Sequence, residues 1–183
     1  MRIRQSYITS YIEACALKSH LDYDLHIHPY KSEALVIGSL FHDTYAKVFE
    51  SKRLVGRMPT VTFVLECFEY EFFKIDWKTV EPTANSQRIR LDALACVTGY
   101  YSTARLIPKV QATELDGIAE IGGHTITTHL DLQTESGIIE FKTARVGRRH
   151  DGTEYILDYS SRNVSWRIQP LVHLAIFGAQ PYK

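Results

Sequence analysis

Residues 124–143 read HTITTHLDLQTESGIIEFKT. Two short segments rich in β-branched residues flank the stretch TESG, which is the pattern of a β-hairpin. Strand side chains alternate faces, so Glu140 and Lys142 point one way while Ile139, Phe141 and Thr143 point the other. The second face is mostly apolar and belongs to a core. The hairpin also brings Asp131, on its first strand, near Glu140. Two carboxylates and an ammonium then share one side of a small sheet.

Upstream, KVQATELDGIAEI is a further strand, and Gly122–Gly123 turns it into the next one. Before Pro108 the chain reads as helices, interrupted at HPYKSEA and at the loop EPTANSQ. In SYITSYIEACALKSHL, Tyr7, Tyr11, Ala14 and Leu17 recur about one turn apart, with Ser6 as the expected N-cap. A second helix is expected over Glu33–Ser51. A third covers VTFVLECFEYEFFKIDW, with Val61, Val64, Leu65, Phe68, Phe72 and Ile75 as its apolar stripe. Asn85 or Ser86 caps a fourth, which Pro108 ends. Downstream, RVGRRHDGTEYILDYSSRN reads as a polar loop or flap. A last helix lies in VSWRIQPLVHLAIF. Proline is tolerated best in a first turn, so Pro170 makes that helix start late. The expectation is a mixed α+β (α/β) domain: helical over 1–107, with a small mixed sheet, flanked by helices, over 108–183.

Composition bounds the rest. The 183 residues are 45% hydrophobic and 23% charged, which suits one domain, 1–183, with a sizeable core. Basic and acidic residues balance at 21 each, so net charge selects no partner and only local clusters speak to one. Cys15, Cys67 and Cys96 are scattered and cannot form a Cys-only cluster or a four-cysteine zinc site. No secretory signal and no apolar run of membrane-spanning length is present, so the expected setting is cytoplasmic.

The chemistry-bearing residues begin with Asp131, Glu140 and Lys142. Paired carboxylates suit a hard cation such as Mg²⁺ or Mn²⁺, which activates water and binds a scissile phosphate. A neighbouring lysine neutralises charge building on the phosphoryl oxygens. The competing reading is an ordinary solvated Glu–Lys strand face, because E-x-K alone has little specificity. His42, in GSLFHDTYAKVFES, shares a helix face with Gly38, Tyr45 and Ala46 and therefore looks inward. It is either a core histidine with a hydrogen-bond partner or a metal ligand.

In order along the chain, GSLFH, ATELDG, THLD, EFKT and QPLVH resemble the motifs of the PD-(D/E)XK nuclease superfamily, in particular its RecB-like exonuclease branch. The resemblance spans Gly38 to His173. It implies a restriction-endonuclease-like core and an Mg²⁺- or Mn²⁺-dependent DNA nuclease, an exonuclease by that branch. It makes Asp131 and Glu140 metal ligands, with the Phe141 carbonyl as a further oxygen and His42 as ligand or outer partner. Lys142 becomes the catalytic lysine, Glu114 binds through water, and Gln169 helps hold Lys142 or the DNA. The sequence departs from the family pattern at Thr128, where a small glycine is expected, at Leu130 for isoleucine and at His173 for tyrosine. Some relatives carry an iron–sulfur cluster; here no cysteine follows Cys96, so none is expected.

The run KTARVGRRH holds Arg145, Arg148 and Arg149 without an acid, and Arg167 follows. Such residues suit phosphate contacts with single-stranded DNA or duplex ends. Trp166 either stacks on a base or packs into the core beside Gln169 and His173. The altered last motif leaves a second expectation, a catalytically silent nucleic-acid-binding module, and a third is a nuclease-like subunit of a larger complex with a helicase or recombinase partner.

Overall fold

The computed structural model describes residues 2–27, 30–141, 147–148, 154–155 and 168–177. It is a mixed α+β protein with its helices concentrated in the N-terminal half. Among the described residues the α-helices are α1 Gln5–Thr9, α2 Ala16–Ser19, α3 Glu33–Val55, α4 Val61–Phe73, α5 Ser86–Leu106 and α6 Ile168–Phe177. The strands are β1 Arg2–Arg4, β2 Val110–Ile121, β3 His124–Thr134, β4 Gly137–Ile139, β5 Gly147–Arg148 and β6 Glu154–Tyr155. β1 to β4 form one mixed sheet, in which β3 pairs with β2, β1 and β4. The chain makes two compact units, one from Tyr30–Glu114 and Asp131–Thr143, the other from Met1–Pro29, Leu115–Leu130 and Ala144–Tyr182.

The first unit is built on α3, α4 and α5, whose boundaries follow local signals. The Ser32 side chain accepts from the Leu35 N–H at the start of α3, and the helix ends at Gly56, which adopts φ 76. Glycine takes this left-handed conformation without a Cβ penalty. The helix runs past the Ser51 expected from periodicity to Val55, as far as this stop. Thr60 caps α4 by accepting from the Phe63 N–H at 3.3 Å, and Asn85 caps α5 by accepting from the Arg88 N–H at 3.0 Å. α4 stops at Phe73, so Ile75 reaches the core from outside the helix. Val61, expected in the apolar stripe, is 44% exposed because it sits at the first, outward-turned position.

Val48, Phe49, Val64, Phe68, Ile89, Ala93 and Val97 are fully buried between these helices. The sheet contributes Leu132 and Phe141 to the same core, with Ile139 packed against it. Phe141 is the junction. Its ring stacks on Phe49 at 5.6 Å and meets Phe41 and Tyr100 edge-on at 5.9 and 5.8 Å. Offset and edge-to-face pairs of this kind add about 0.5–1.5 kcal/mol each beyond burial.

In the second unit, β1 runs parallel to β3, with Arg2, Ile3 and Arg4 opposite Thr125, Ile126 and Thr127. Periodicity gives this N-terminal segment no strand, and it corrects the expected helix start: α1 begins at Gln5, and Ser6 lies inside it rather than capping it. The single long N-terminal helix is also interrupted. Residues Ser10–Ala14 form a wide π turn, and Cys15 is extended at φ −159. The Ser19 hydroxyl donates to the Tyr7 carbonyl at 3.2 Å across the break, and the Tyr23 ring packs edge-on against Tyr7 at 5.3 Å. Gly122 and Gly123 turn β2 into β3 at φ 59 and 76, the left-handed pair that matches the twist of a two-residue hairpin.

Part of the segment expected as a loop, residues 145–163, is described. Gly147–Arg148 and Glu154–Tyr155 pair as short antiparallel strands. α6 is described from Ile168, and Pro170 is its third described residue. Gly117 is needed where it stands: a Cβ there would lie 2.5 Å from the Phe177 ring and 2.7 Å from Ile176.

Candidate functional site

The β3–β4 hairpin sets the site. Its turn is Glu135–Ser136, with Gly137 at φ 131. The Thr134 hydroxyl donates to the Gly137 carbonyl at 2.9 Å and accepts from the Ser136 N–H at 3.3 Å. Leu132 faces Ile139 and Thr134 faces Gly137. β4 ends at Ile139; continued one residue past that end, the register would set Asp131 and Glu140 on one face. Asp131 is 8% exposed. Its Oδ2 accepts a 2.7 Å hydrogen bond from the Phe141 N–H. A carboxylate bonded to a backbone N–H is strongly oriented. The aromatic junction in the core thereby fixes the carboxylate on the sheet.

The other oxygen, Oδ1, lies 3.3 Å from His42 Nδ1. His42 rides on α3 between buried Gly38 and fully buried Tyr45. Its ring meets Phe141 at 5.9 Å and Phe41 at 6.1 Å, both edge-on. Its side chain is still 29% exposed, so it stands at the rim of the core rather than inside it. The imidazole thus has one side on the aromatics, one nitrogen on Asp131 and a path to solvent.

The remaining expected residues are placed as follows. Glu140 is half-buried. Glu114 is exposed in β2 at φ 49, in the left-handed region that a non-glycine residue rarely adopts. Its neighbour Thr113 donates from its hydroxyl to Glu50 at 3.0 Å. Lys142, Arg145, Arg149, Trp166 and Arg167 lie outside the described residues, as do the side chains of Arg148 and Gln169. His173, which in place of the motif's tyrosine is expected to donate a hydrogen bond to nucleic acid or stack on it, is 0% exposed and packs edge-on against Phe177 at 6.0 Å. Among the described residues, no set of three or more His, Cys, Asp or Glu side chains converges closely enough to hold a metal ion, and none of their helices is long and apolar enough to cross a membrane.

A charged group beside His42 escaped the sequence reading. Burial, and then the Glu71 carboxylate, push the Asp43 carboxyl above its ordinary range. Glu71 is 5% exposed and bridges Lys47 at 3.3 Å and Lys74 at 2.9 Å. The adjacent pair His42–Asp43 is visible in the sequence, but only α4 packing on α3 brings Glu71 to it. Burial also raises the Tyr100 phenol, next to Phe141, to about 12.

No protein-family model matches the chain, and neither the curated proteins nor the solved structures gave a match. The nuclease resemblance therefore rests on the chain's own residues.

Proposed function

We propose that the chain is a divalent-metal-dependent DNA nuclease of the PD-(D/E)XK type. The observation that carries this reading is the Asp131 carboxylate, held by the Phe141 N–H at 2.7 Å and facing His42 at 3.3 Å. The residues suit Mg²⁺ or Mn²⁺. Adjacent ligands of an octahedral cation with bonds of roughly 2.1 Å lie about 3 Å apart, close to that His42–Asp131 spacing. Asp131 and Glu140 would hold the ion, with His42 beside them. When bound, it would supply an activated water and stabilise charge on the phosphoryl oxygens.

The chain's own residues do the rest. The Phe141 N–H fixes the Asp131 rotamer. His42, with Nδ1 on the Asp131 carboxylate, would hold a proton or a ligand beside the ion. Lys142, next in sequence after Phe141, supplies the positive charge for the phosphodiester. The arginines of residues 145–149 and Arg167 supply backbone phosphate contacts.

A cleavage panel tests the reading, using single-stranded, duplex and end-blocked DNA with Mg²⁺ or Mn²⁺. Asp131→Ala and Lys142→Ala should each abolish cleavage while salt-sensitive DNA binding persists. Full activity in both variants refutes the assignment. Binding by the unmodified protein without cleavage at any metal concentration would identify a silent nucleic-acid-binding module instead.

A further inference from the structure

The unit that contains β1 holds a cavity of about 410 Å³. Small-ligand sites occupy roughly 300–1,000 Å³. Arg2, Arg4, Ser6, Asp116, Thr127 and His129 are among its lining residues. Arg2 and Arg4 are two residues apart on a strand, so their side chains share a face, roughly 6.6 Å apart along the chain. The parallel register puts Arg4 beside Thr127 on that face. Asp116 is the one acid among the described lining residues, and His129 Nδ1 engages it at 2.9 Å. Neither guanidinium has a hydrogen-bond or ion-pair partner among the described residues.

We infer that this cavity is a binding site for a phosphate group. Two guanidiniums on one wall, without partners among the described residues, offer two planar donor forks, which match a tetrahedral oxyanion with several free oxygens. A carboxylate has only two oxygens and satisfies one fork. The Ser6 hydroxyl adds a donor. Asp116 is held by His129 and opposes an anion less than a free carboxylate would. The site shares no residue with the His42–Asp131 pair, so it goes beyond the nuclease reading and does not depend on it.

Titration calorimetry on the full chain with inorganic phosphate tests the inference, with sodium chloride and acetate at matched ionic strength as controls. Saturable phosphate binding is expected, with little response to acetate. The double variant Arg2→Gln/Arg4→Gln should bind phosphate at least tenfold more weakly with an unchanged circular-dichroism spectrum. Arg53→Gln, which removes an arginine paired with Glu50, should leave the affinity unchanged. Oligonucleotides with a 5′-phosphate or a 5′-hydroxyl distinguish the source. A phosphate-competed preference for the first assigns the site to a nucleic-acid end, and equal binding assigns it to free phosphate. Absence of saturable phosphate binding, or unaltered affinity in the folded double variant, overturns the inference.

Discussion

Lys52 offers a quantitative test of how the helical unit is held together. It sits in the last turn of α3, is 9% exposed, and donates from Nζ to the Ala104 carbonyl at 3.2 Å and to the Ile107 carbonyl. These acceptors lie at the C-terminal end of α5, where carbonyls lack intrahelical partners and the helix dipole favours a cation. Lys52→Met keeps the stem but removes the donor. Hydrogen bonds to a charged group contribute about 1.5–3 kcal/mol, and a buried unsatisfied carbonyl costs about 1–3 kcal/mol. Against this, methionine removes the desolvation of the ammonium. The net expectation is a loss of about 2 kcal/mol, or about 4–8 °C in Tm for a chain of this length.

The pH dependence of the same site has a definite sign. Burial lowers the Lys52 pKa below its ordinary value of 10.5. Between the lowered folded value and 10.5 the unfolded chain binds more protons than the folded one, so the lysine's contribution to stability rises with pH. The cost of burying the charge is complete below the folded pKa and disappears as pH approaches 10.5. Urea denaturation of both proteins from about pH 7 to about pH 10.5 should therefore show the gap between parent and variant widening. A Lys52→Met variant as stable as the parent at neutral pH, or a gap that narrows with rising pH, refutes this account.

Two further outcomes follow from the packing. Gly117→Ala should destabilise by about 1–3 kcal/mol, because its Cβ would meet Phe177 and Ile176 at 2.5 and 2.7 Å; a smaller side chain introduced at Phe177 should recover part of the loss in a double-mutant cycle. Tyr45→Phe should cost about 1 kcal/mol in chemical denaturation, since the fully buried phenol donates to the Val97 carbonyl at 2.8 Å and the ring otherwise stays in place.

Local chemistry was enough for much of the fold. The Asn85 cap, the stop at Pro108, the Gly122–Gly123 turn and the TESG hairpin depend on a few adjacent residues, and those residues state them. The alternation in GIIEFKT likewise places Ile139 and Phe141 in the core, because a strand leaves only two faces to choose between. The tertiary structure decided what links distant segments. β1 is three residues long and pairs with a strand far along the chain, so no local pattern announces it. Lys52 is buried only because α5 ends against it with carbonyls to satisfy. His173 is buried because burial depends on what packs around a helix, whatever the polarity of the residue. The meeting of His42 with Asp131 likewise needs α3 packed against the hairpin through Phe41, Phe49 and Phe141. Periodicity gives the face on which a side chain lies; only packing between elements gives the partner it meets there.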